Sequence, residues 1–326
     1  MRQCLQRLGV LWLAGLLGLI TASSLWAQGF PDKPVNMVVG FPAGGGTDIV
    51  ARKVATPLSL LWGQPVVVDN KGGAGGTIAT VQVARAAANG YTLLMATMGN
   101  MAMNQHLYPM SIDPAKDLAP ITNVVGVSFV LVARPGLAAS NVEELIALAR
   151  KKPGELNYSS SGIGGAPHLA TELFASMTGT RFTHVVYKGS GPSIADLLGG
   201  QVDFTMDSLV QVLPHIKSGR LKALAVLGAK RSPLLPQVPT VAEAGVPGYE
   251  FTNWFGLVVP AQTPKPVIQK LHADVSKVLQ SPELRGELEK MGADVINNTP
   301  EQFGEQIHSD AQKWGEIIRK ANVKAQ

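Results

Sequence analysis

The stretch VNMVVGFPAGGGTDIVAR, residues 35–52, predicts a strand, a glycine-rich loop and a helix in direct succession. The strand is expected over Val35–Gly40 and the helix over Asp48–Leu61. Glycines between them let the backbone turn sharply and leave its N–H groups uncovered. Because a helix N-terminus adds unpaired N–H groups and a partial positive charge, this loop predicts a site for a carboxylate or a phosphate.

The same strand, glycine loop and helix recur along the chain. Residues 69–77, 158–168 and 187–192 each follow a predicted strand and open a predicted helix, and Asp207 follows another strand. In a parallel sheet such loops lie at the carboxyl ends of the strands, where ligands bind. Glycine after a strand is common, so each loop alone is weak evidence. Together they predict one cleft between two donor-rich faces.

The periodicity predicts an α/β protein throughout. The predicted helices, besides the first, are Gly76–Ala88, Val142–Lys151, Pro167–Met177, Pro192–Leu198, Leu209–Ser218, Pro264–Leu279, Pro282–Met291 and Pro300–Lys320. The predicted strands, besides the first, are Pro65–Val68, Tyr91–Thr97, one or two within Ile121–Ala133, Leu156–Ser159, Thr183–Tyr187, Val202–Met206, Ala223–Leu227 and Phe251–Val259.

We expect two lobes, each a mostly parallel sheet flanked by helices. Residues 28–125 and 240–326 would form the first lobe, and residues 126–239 the second. The crossing segments near 124–128 and 233–240 would then act as hinges.

The first 27 residues have the three-part pattern of a secretory signal peptide. Arg2 and Arg7 precede the apolar run Leu8–Ile20, which is shorter than the roughly 20 residues that span a bilayer. Cleavage is expected after Ala27, with cleavage after Ser24 or an uncleaved anchor helix as the alternatives. The mature protein is therefore predicted to be periplasmic.

Composition excludes several classes of function. Cys4 is the single cysteine and precedes the apolar run, so the mature chain has no disulfide, thiolate metal site or thiol nucleophile. Loss of Arg2 and Arg7 lowers the formal net charge from +5 to +3. No basic cluster or aromatic stripe indicates nucleic-acid binding, whereas a mild positive excess suits a receptor for anions. No second apolar run reaches membrane length.

Several polar residues of these loops have two interpretations. Thr47 is expected to cap the first helix and to offer its hydroxyl to a ligand, while Asp48 either contacts the ligand or only stabilises the first helical turn. Lys71 is expected to be a solvated surface charge. His168, in a first helical turn, is expected to make structural hydrogen bonds more than to act as a base.

Catalysis finds little support in the sequence. The chain lacks a phosphate-loop motif and a Gly-x-Ser-x-Gly elbow, and glycines counted from Gly40 or Gly44 miss the dinucleotide spacing. Ser160 or Ser161 with His168 would make an imaginable hydrolase, with Asp207 as third member, but no spacing supports it. The six histidines are scattered, so no metal site is expected.

Five segments resemble the Bug-type receptors of tripartite tricarboxylate transporters. They are GFPAGGGTDIVAR, VVVDNKGGAGGTIAT, NYSSSGIGGAPHLATELF, VVYKGSGPSIADLLGGQVDF and VPTVAEAGVPGYEFTNWFGLVVPAQTPKPVI. The resemblance covers essentially the whole mature chain. It implies a two-lobed, type II periplasmic-binding-protein fold and binding without chemistry. The ligands it implies are acidic amino acids, di- and tricarboxylates, and aromatic acids.

The resemblance also implies how the ligand is held. One carboxylate would lie on backbone N–H groups of residues 41–48 and 72–76, and the other lobe would add residues 159–168 and 188–191. Lys71 stands where many members have arginine and proline, so its contribution is left open. The candidate ligand-binding residues are Phe41, Pro42, Ala43, Gly44, Gly45, Thr47, Asp48, Gly75, Gly76, Ser160, Ser161, Gly164, His168, Lys188, Gly189, Ser190 and Asp207.

The sequence thus predicts a monomeric receptor that closes on a small carboxylate and delivers it to the membrane subunits of a tripartite tricarboxylate-type transporter. No cofactor, metal or nucleic acid is expected. One alternative is a sensor module that presents its closed form to a signalling receptor. Another is a periplasmic serine hydrolase that uses Ser160 and His168.

Overall fold

The computed structural model describes residues 29–320 and residue 323. The predicted signal peptide, its cleavage site and Cys4 lie outside these residues. The strands are β1 (Val35–Val39), β2 (Val66–Asn70), β3 (Thr92–Thr97), β4 (Leu118–Val127), β5 (Phe129–Ala133), β6 (Asn157–Ser160), β7 (Thr183–Val186), β8 (Phe204–Ser208), β9 (Lys222–Val226), β10 (Asn253–Pro260) and β11 (Ala293–Val295).

The helices alternate with these strands along most of the chain. They are α1 (Gly46–Trp62), α2 (Thr77–Ala84), α3 (Pro114–Asp117), α4 (Val142–Lys151), α5 (Ala166–Thr178), α6 (Ser190–Leu198), α7 (Leu209–Lys217), α8 (Lys265–Leu279), α9 (Pro282–Glu289) and α10 (Pro300–Lys320). Short 3₁₀ turns lie at Ala74–Gly76 and Asn104–His106, and a π-helical turn lies at Gly99–Met103.

Two sheets form the centres of two lobes. Their strand orders match when one sheet is written from its other end and the additional edge strand β11 is left out. The first runs β11-β4-β10-β3-β1-β2, and the second runs β7-β6-β8-β5-β9. In each sheet a strand that arrives from the other lobe, β10 or β5, lies between the third and fourth strands of that lobe. The two lobes are therefore built to the same plan, with helices on the faces of each sheet.

Both sheets are mixed, which corrects the expectation of mostly parallel sheets. β1 pairs in parallel with β2 and β3, whereas β10 runs antiparallel to β3 and β4, and β11 antiparallel to β4. In the second sheet β6 is parallel to β7 and β8, whereas β5 is antiparallel to β8 and β9. The antiparallel pairs made by β10 and β5 arise because these two crossing strands enter each sheet from the opposite direction.

The predicted strand region Ile121–Ala133 contains two strands, β4 and β5, with Ser128 between them. Ser128 donates its N–H to the carbonyl of Gly292 in the first lobe. Its own carbonyl accepts a hydrogen bond from the N–H of Leu209 in the second lobe. One crossing between the lobes therefore lies at Ser128.

The segment 240–251 packs on the second lobe, not on the first as the expected boundary at residue 240 requires. The N–H of Val241 donates to Val226 O, and the N–H of Phe251 donates to Leu227 O, at 2.9 and 2.8 Å. Tyr249 is buried, and its hydroxyl donates to Ala170 O at 2.9 Å. Tyr249 packs on Phe174 of the second lobe. The ring of Phe251, in contrast, also contacts Trp314 of the first, so the chain returns to the first lobe after Phe251.

Helix bounds agree best where sequence signals are strong. α10 covers the predicted Pro300–Lys320, with a proline at its start and Phe303, Ile307, Trp314 and Ile318 buried along one face. α2 ends at Ala84, earlier than predicted, and β11 and α3 were not predicted. Among the described residues, no helix has both the length and the apolarity needed to span a membrane.

Candidate functional site: the cleft between the lobes

A small cavity of about 40 Å³ lies where the two lobes meet. Its walls are the beginnings of α1, α5 and α6 and the ends of β3 and β8. The lining residues are Phe41, Gly45, Gly46, Thr47, Thr97, Phe129, Ser161, Ala166, Pro167, Ser190, Asp207, Ser208, Asn253 and Phe255. Residues of both lobes therefore line one cavity.

A second cavity, of about 190 Å³, is lined in part by the same residues, Phe41 and Ser161. The glycine loop of residues 73–76 forms one wall, and Tyr108 and Lys188 also line it. Lys188 is exposed, which leaves its ammonium group in contact with water at the mouth. Lys71 lies elsewhere and pairs with Asp69 at 3.3 Å on the surface, as expected of a solvated charge.

Three of the helices that begin at the first cavity each begin after a glycine. Gly45, Gly165 and Gly189 are the N-caps of α1, α5 and α6, and in the described chain no side chain caps these three helices. A helix start with no side-chain cap leaves N–H donors and a partial positive charge available. The converging helices therefore make the cavity suited to an anionic group.

Thr47 lies within the first turn of α1, because the helix begins at Gly46 and not at the predicted Asp48. The expected capping role is therefore wrong, since the N-cap is Gly45. Thr47 is buried and lines the cavity, so its hydroxyl remains positioned as a donor.

Asp48 lines neither cavity and stabilises the loop that precedes α1. Its carboxylate accepts hydrogen bonds from the N–H of Gly44 at 2.9 Å, from Arg52 Nε at 3.0 Å and from Asn70 Nδ2 at 3.0 Å. Burial raises its pKa, but these donors outweigh burial and hold the pKa below the usual value. These bonds support the helix-stabilising role, which is one of the two interpretations of Asp48.

The lobes touch at glycines that leave no room for a side chain. A Cβ atom on Gly75, where φ is +60°, would lie 2.6 Å from the carbonyl oxygen of Ile163. A Cβ atom on Gly189, where φ is +139°, would lie 2.6 Å from Pro42 Cδ. These contacts join residues of opposite lobes, so the protein is in a closed form.

Ser160 and His168 do not form the pair that a hydrolase would need. Ser160 Oγ lies 2.6 Å from His184 Nε2, while His168 Nδ1 accepts the N–H of Gly164 at 3.1 Å. The rings of His168 and His184 stack with centroids 4.4 Å apart. Burial lowers the pKa of His168 to about 3 and that of His184 to about 4, so both are neutral near pH 7.

Asp207 is the charged residue of the first cavity. Its Oδ1 atom accepts the N–H of Ser208 at 2.7 Å, while Oδ2 has no hydrogen-bond partner in the part of the chain that is described. Only 2% of its surface is exposed. Burial raises its pKa to about 6, against smaller opposing effects of the Ser190 hydroxyl and the Ser208 N–H.

The structure brings most of the candidate residues to the cleft. Those that line a cavity are Phe41, Gly45, Thr47, Gly75, Gly76, Ser161, Lys188, Ser190 and Asp207. Those that line neither are Pro42, Ala43, Gly44, Asp48, Ser160, Gly164, His168 and Gly189. Pro42 and Gly189 touch across the lobes, Ser160 and His168 lie buried beneath their loop, and Ala43 and Gly44 are exposed.

Several cleft residues were missed at the level of sequence. Thr97 ends β3 and Asn253 begins β10, so the rule that ligands bind at strand ends would have found Thr97. Tyr108 follows the π-helical and 3₁₀ turns, which no periodicity predicts. Within residues 29–320, no three His, Cys, Asp or Glu residues form a group that would hold a metal ion.

A two-lobed α/β fold with a donor-lined cleft defines a solute-binding protein, and comparison with known proteins gives the family. The family model of the tripartite tricarboxylate transporter family receptor matches residues 50–323. Protein BugT of Bordetella pertussis (strain Tohama I) is 38% identical over 305 residues, which cover 93% of this chain and 94% of BugT.

Solved structures agree with this assignment. The periplasmic binding protein BugD has 38% identity and a TM-score of 0.88, covering 91% of this chain and 100% of BugD. An R. palustris protein with adipate has 38% identity and a TM-score of 0.88, covering 90% and 99%. MatC from Rhodopseudomonas palustris, with bound malate, has 32% identity and a TM-score of 0.86, covering 89% and 100%.

The chain belongs to the tripartite tricarboxylate transporter receptor family. It is a periplasmic solute-binding receptor of the Bug type and not an enzyme, which confirms the class, the two-lobed fold and the absence of catalysis predicted from the sequence.

Proposed function

We propose that this receptor binds a small carboxylate in the interlobe cleft and delivers it to the membrane subunits of a tripartite tricarboxylate-type transporter. The observation that carries the proposal is the convergence of α1, α5 and α6 on one cavity with no side-chain caps. The adipate and malate bound by the two R. palustris relatives support the same ligand class.

Neutral donors are sufficient for this task. No lysine or arginine lines the first cavity in the described chain, so backbone N–H groups and the hydroxyls of Thr47, Ser161 and Ser190 would hold the carboxylate. A micromolar affinity corresponds to about 8 kcal/mol. Hydrogen bonds to charged groups contribute about 1.5–3 kcal/mol each, so a handful of donors suffices after the cost of association.

The second cavity offers a place for the rest of the ligand. It adjoins the first at Phe41 and Ser161, and Lys188 lies at its mouth. A dicarboxylate would place one carboxylate at the helix starts and the other toward Lys188. Gly75 and Gly76 form the opposite wall, where a side chain would narrow the space.

Closure would occur by a hinge motion between the lobes. We place the hinges at Ser128, which bonds to both lobes, and at the junction of Phe251 with Asn253, where the chain leaves the second lobe. We also propose that the leader is cleaved after Ala27 and that the mature receptor acts as a monomer.

A thermal-shift screen of residues 28–326, refolded to remove bound ligand, tests the ligand class. The panel contains mono-, di- and tricarboxylates, acidic amino acids and aromatic acids, with sugars and neutral amino acids as controls. A ligand at about a hundred times its Kd adds about 2.7 kcal/mol, which raises the Tm by several degrees. A rise with a sugar or neutral compound alone would refute the carboxylate proposal.

A matched pair of variants tests the place of binding. Gly45 lines the first cavity, and a Cβ atom there meets nothing closer than 3.6 Å, so Gly45→Val is expected to fold and to block binding. Gly286→Val, on α9 with open space around it and lining neither cleft cavity, is the control. Equal affinity in Gly45→Val, Gly286→Val and the wild type would place the ligand elsewhere.

A further inference from the structure

Asp207 presents one unsatisfied oxygen to the cleft. Oδ1 accepts the N–H of Ser208, but Oδ2 has no hydrogen-bond partner in the described chain, although Asp207 is buried. The Ser190 hydroxyl lies close enough to lower the pKa of the carboxyl, but it forms no hydrogen bond of normal geometry with Oδ2. A buried polar group without a partner is costly, more so when it is charged. Native proteins bury few such groups, and an ordered water, an ion or a ligand commonly satisfies those that remain.

The surroundings of Asp207 contain no cation that would neutralise it. The first cavity is lined by hydroxyls, backbone groups, the amide of Asn253 and aromatic rings, and by no lysine or arginine among the described residues. Burial accordingly raises the pKa of Asp207 to about 6. The carboxylate is nevertheless largely ionised near pH 7, beside a cavity whose helix starts attract anions.

The helix starts and Asp207 favour ligand groups of opposite charge. The helix starts favour a carboxylate, whereas Asp207 repels a second negative charge and favours a hydrogen-bond donor with positive charge. A ligand that carries an ammonium group next to its carboxylate satisfies both. A hydroxyl in the same place would satisfy Oδ2 without neutralising it.

We propose, on the basis of the function proposed above, that Asp207 is a specificity-determining residue whose Oδ2 accepts a hydrogen bond from the ammonium group of an amino acid ligand. The receptor then prefers an amino acid to the hydroxy acid of the same carbon frame, and the hydroxy acid to the plain acid. Because hydrogen bonds between charged groups are strong, the amino acid is expected to bind about 10- to 100-fold more tightly than the plain acid.

Three matched series test this order by calorimetry at neutral pH. They are succinate, malate and aspartate; adipate with its 2-hydroxy and 2-amino analogues; and phenylpropionate, phenyllactate and phenylalanine. The Asp207→Asn variant keeps the size of the side chain and an oxygen that can accept the Ser208 N–H. It is expected to lose at least about tenfold of the preference for the amino acid and to bind the plain acid more tightly.

Asp294→Asn is the control, because Asp294 is an acid on β11 that lines neither cleft cavity. It is expected to leave the preference unchanged. A plain acid that binds the wild type as tightly as its amino analogue would overturn the proposal, and so would an Asp207→Asn variant with unaltered preference; both leave the carboxylate function standing. If no member of any series binds, both the proposed function and this inference fail.

Discussion

The hydroxyl of Tyr108, in the first lobe, donates a hydrogen bond of 2.7 Å to the carbonyl oxygen of Ile163, in the second. The bond crosses the cleft at the wall of the larger cavity. It is formed only when the lobes are closed, so its free energy favours the closed form over the open one. The apparent affinity for a ligand that binds the closed form depends on the same equilibrium between open and closed forms.

Tyr108→Phe removes this bond and little else. A neutral hydrogen bond contributes about 0.5–1.5 kcal/mol, so the variant is expected to bind its tightest carboxylate about 2- to 10-fold more weakly in calorimetry. Tyr91→Phe is the matched control, because the Tyr91 hydroxyl bonds to Asp32 far from the cleft. If the two variants have the same affinity, the Tyr108 bond has no part in closure.

The approach of Gly46 to Ser208 gives a second test of closure. A Cβ atom on Gly46 would lie 2.6 Å from Ser208 Oγ and 3.8 Å from Val210 Cβ, across the lobes. Gly46→Val, at a position of ordinary helical conformation, is expected to fold but to close incompletely, with an affinity loss above about tenfold. Small-angle X-ray scattering of Gly46→Val with ligand present would show a larger radius of gyration than that of the closed wild type.

The double variant Gly46→Val, Ser208→Gly distinguishes steric hindrance from a local fault in α1. Removal of the Ser208 side chain makes space for the valine and is expected to restore part of the affinity. An affinity equal to that of Gly46→Val alone would show that the loss comes from the helix start itself.

Sequence predicts the parts of this fold that local signals specify. Proline at helix starts and apolar periodicity predict α10 to the residue, and the strand followed by glycines predicts the loop before α1. The sequence did not predict the directions of the strands that cross between the lobes. β5 and β10 run antiparallel to their neighbours because each enters from the other lobe, and nothing in their residues specifies direction.

The site was predicted to a similar extent. Backbone donors such as Gly45 and Gly75 follow from glycines after strands, and these line the cavities. The roles of the side chains were harder to predict, because they depend on the direction in which each side chain points. Asp48 bonds to Arg52, and Ser160 bonds to His184, a residue that the sequence analysis did not consider. Tyr108 was missed because it follows irregular turns and meets its partner across the cleft.

Asp48→Ala is expected to lower stability without changing ligand preference. The variant loses the bonds to Gly44, Arg52 and Asn70, for a cost of roughly 2–3 kcal/mol, which lowers the Tm by several degrees. Because the folded pKa is lowered, this stabilisation is present above the unfolded pKa and is lost as pH falls through the folded pKa.

Arg52→Ala measures the contribution of Arg52 alone, since the bonds of Asp48 to Gly44 and Asn70 remain. It is expected to cost less than Asp48→Ala in the same thermal scan. An Asp48→Ala protein of normal Tm that no longer binds carboxylates would instead make Asp48 a ligand contact.

His168 makes the stability of the receptor depend on acid. Its pKa is lowered to about 3 in the folded protein by burial first and by His184 second, whereas the unfolded chain takes up the proton near pH 6.5. Stability is therefore lost as pH falls from about 6.5 toward 3, by at most about 1.4 kcal/mol per pH unit from this residue. Asp207, whose pKa is raised, contributes a smaller change of opposite sign over part of this range.

His168→Asn removes the proton uptake but keeps an acceptor for the N–H of Gly164. The difference in unfolding free energy between about pH 7.5 and about pH 5, from urea titrations, is expected to be smaller than in the wild type by up to about 2 kcal/mol. His308→Asn, on the exposed face of α10, is the control and is expected to leave the difference unchanged. If His168→Asn loses as much stability on acidification as the wild type, then His168 is protonated in the folded protein and its burial against His184 does not exclude the charge.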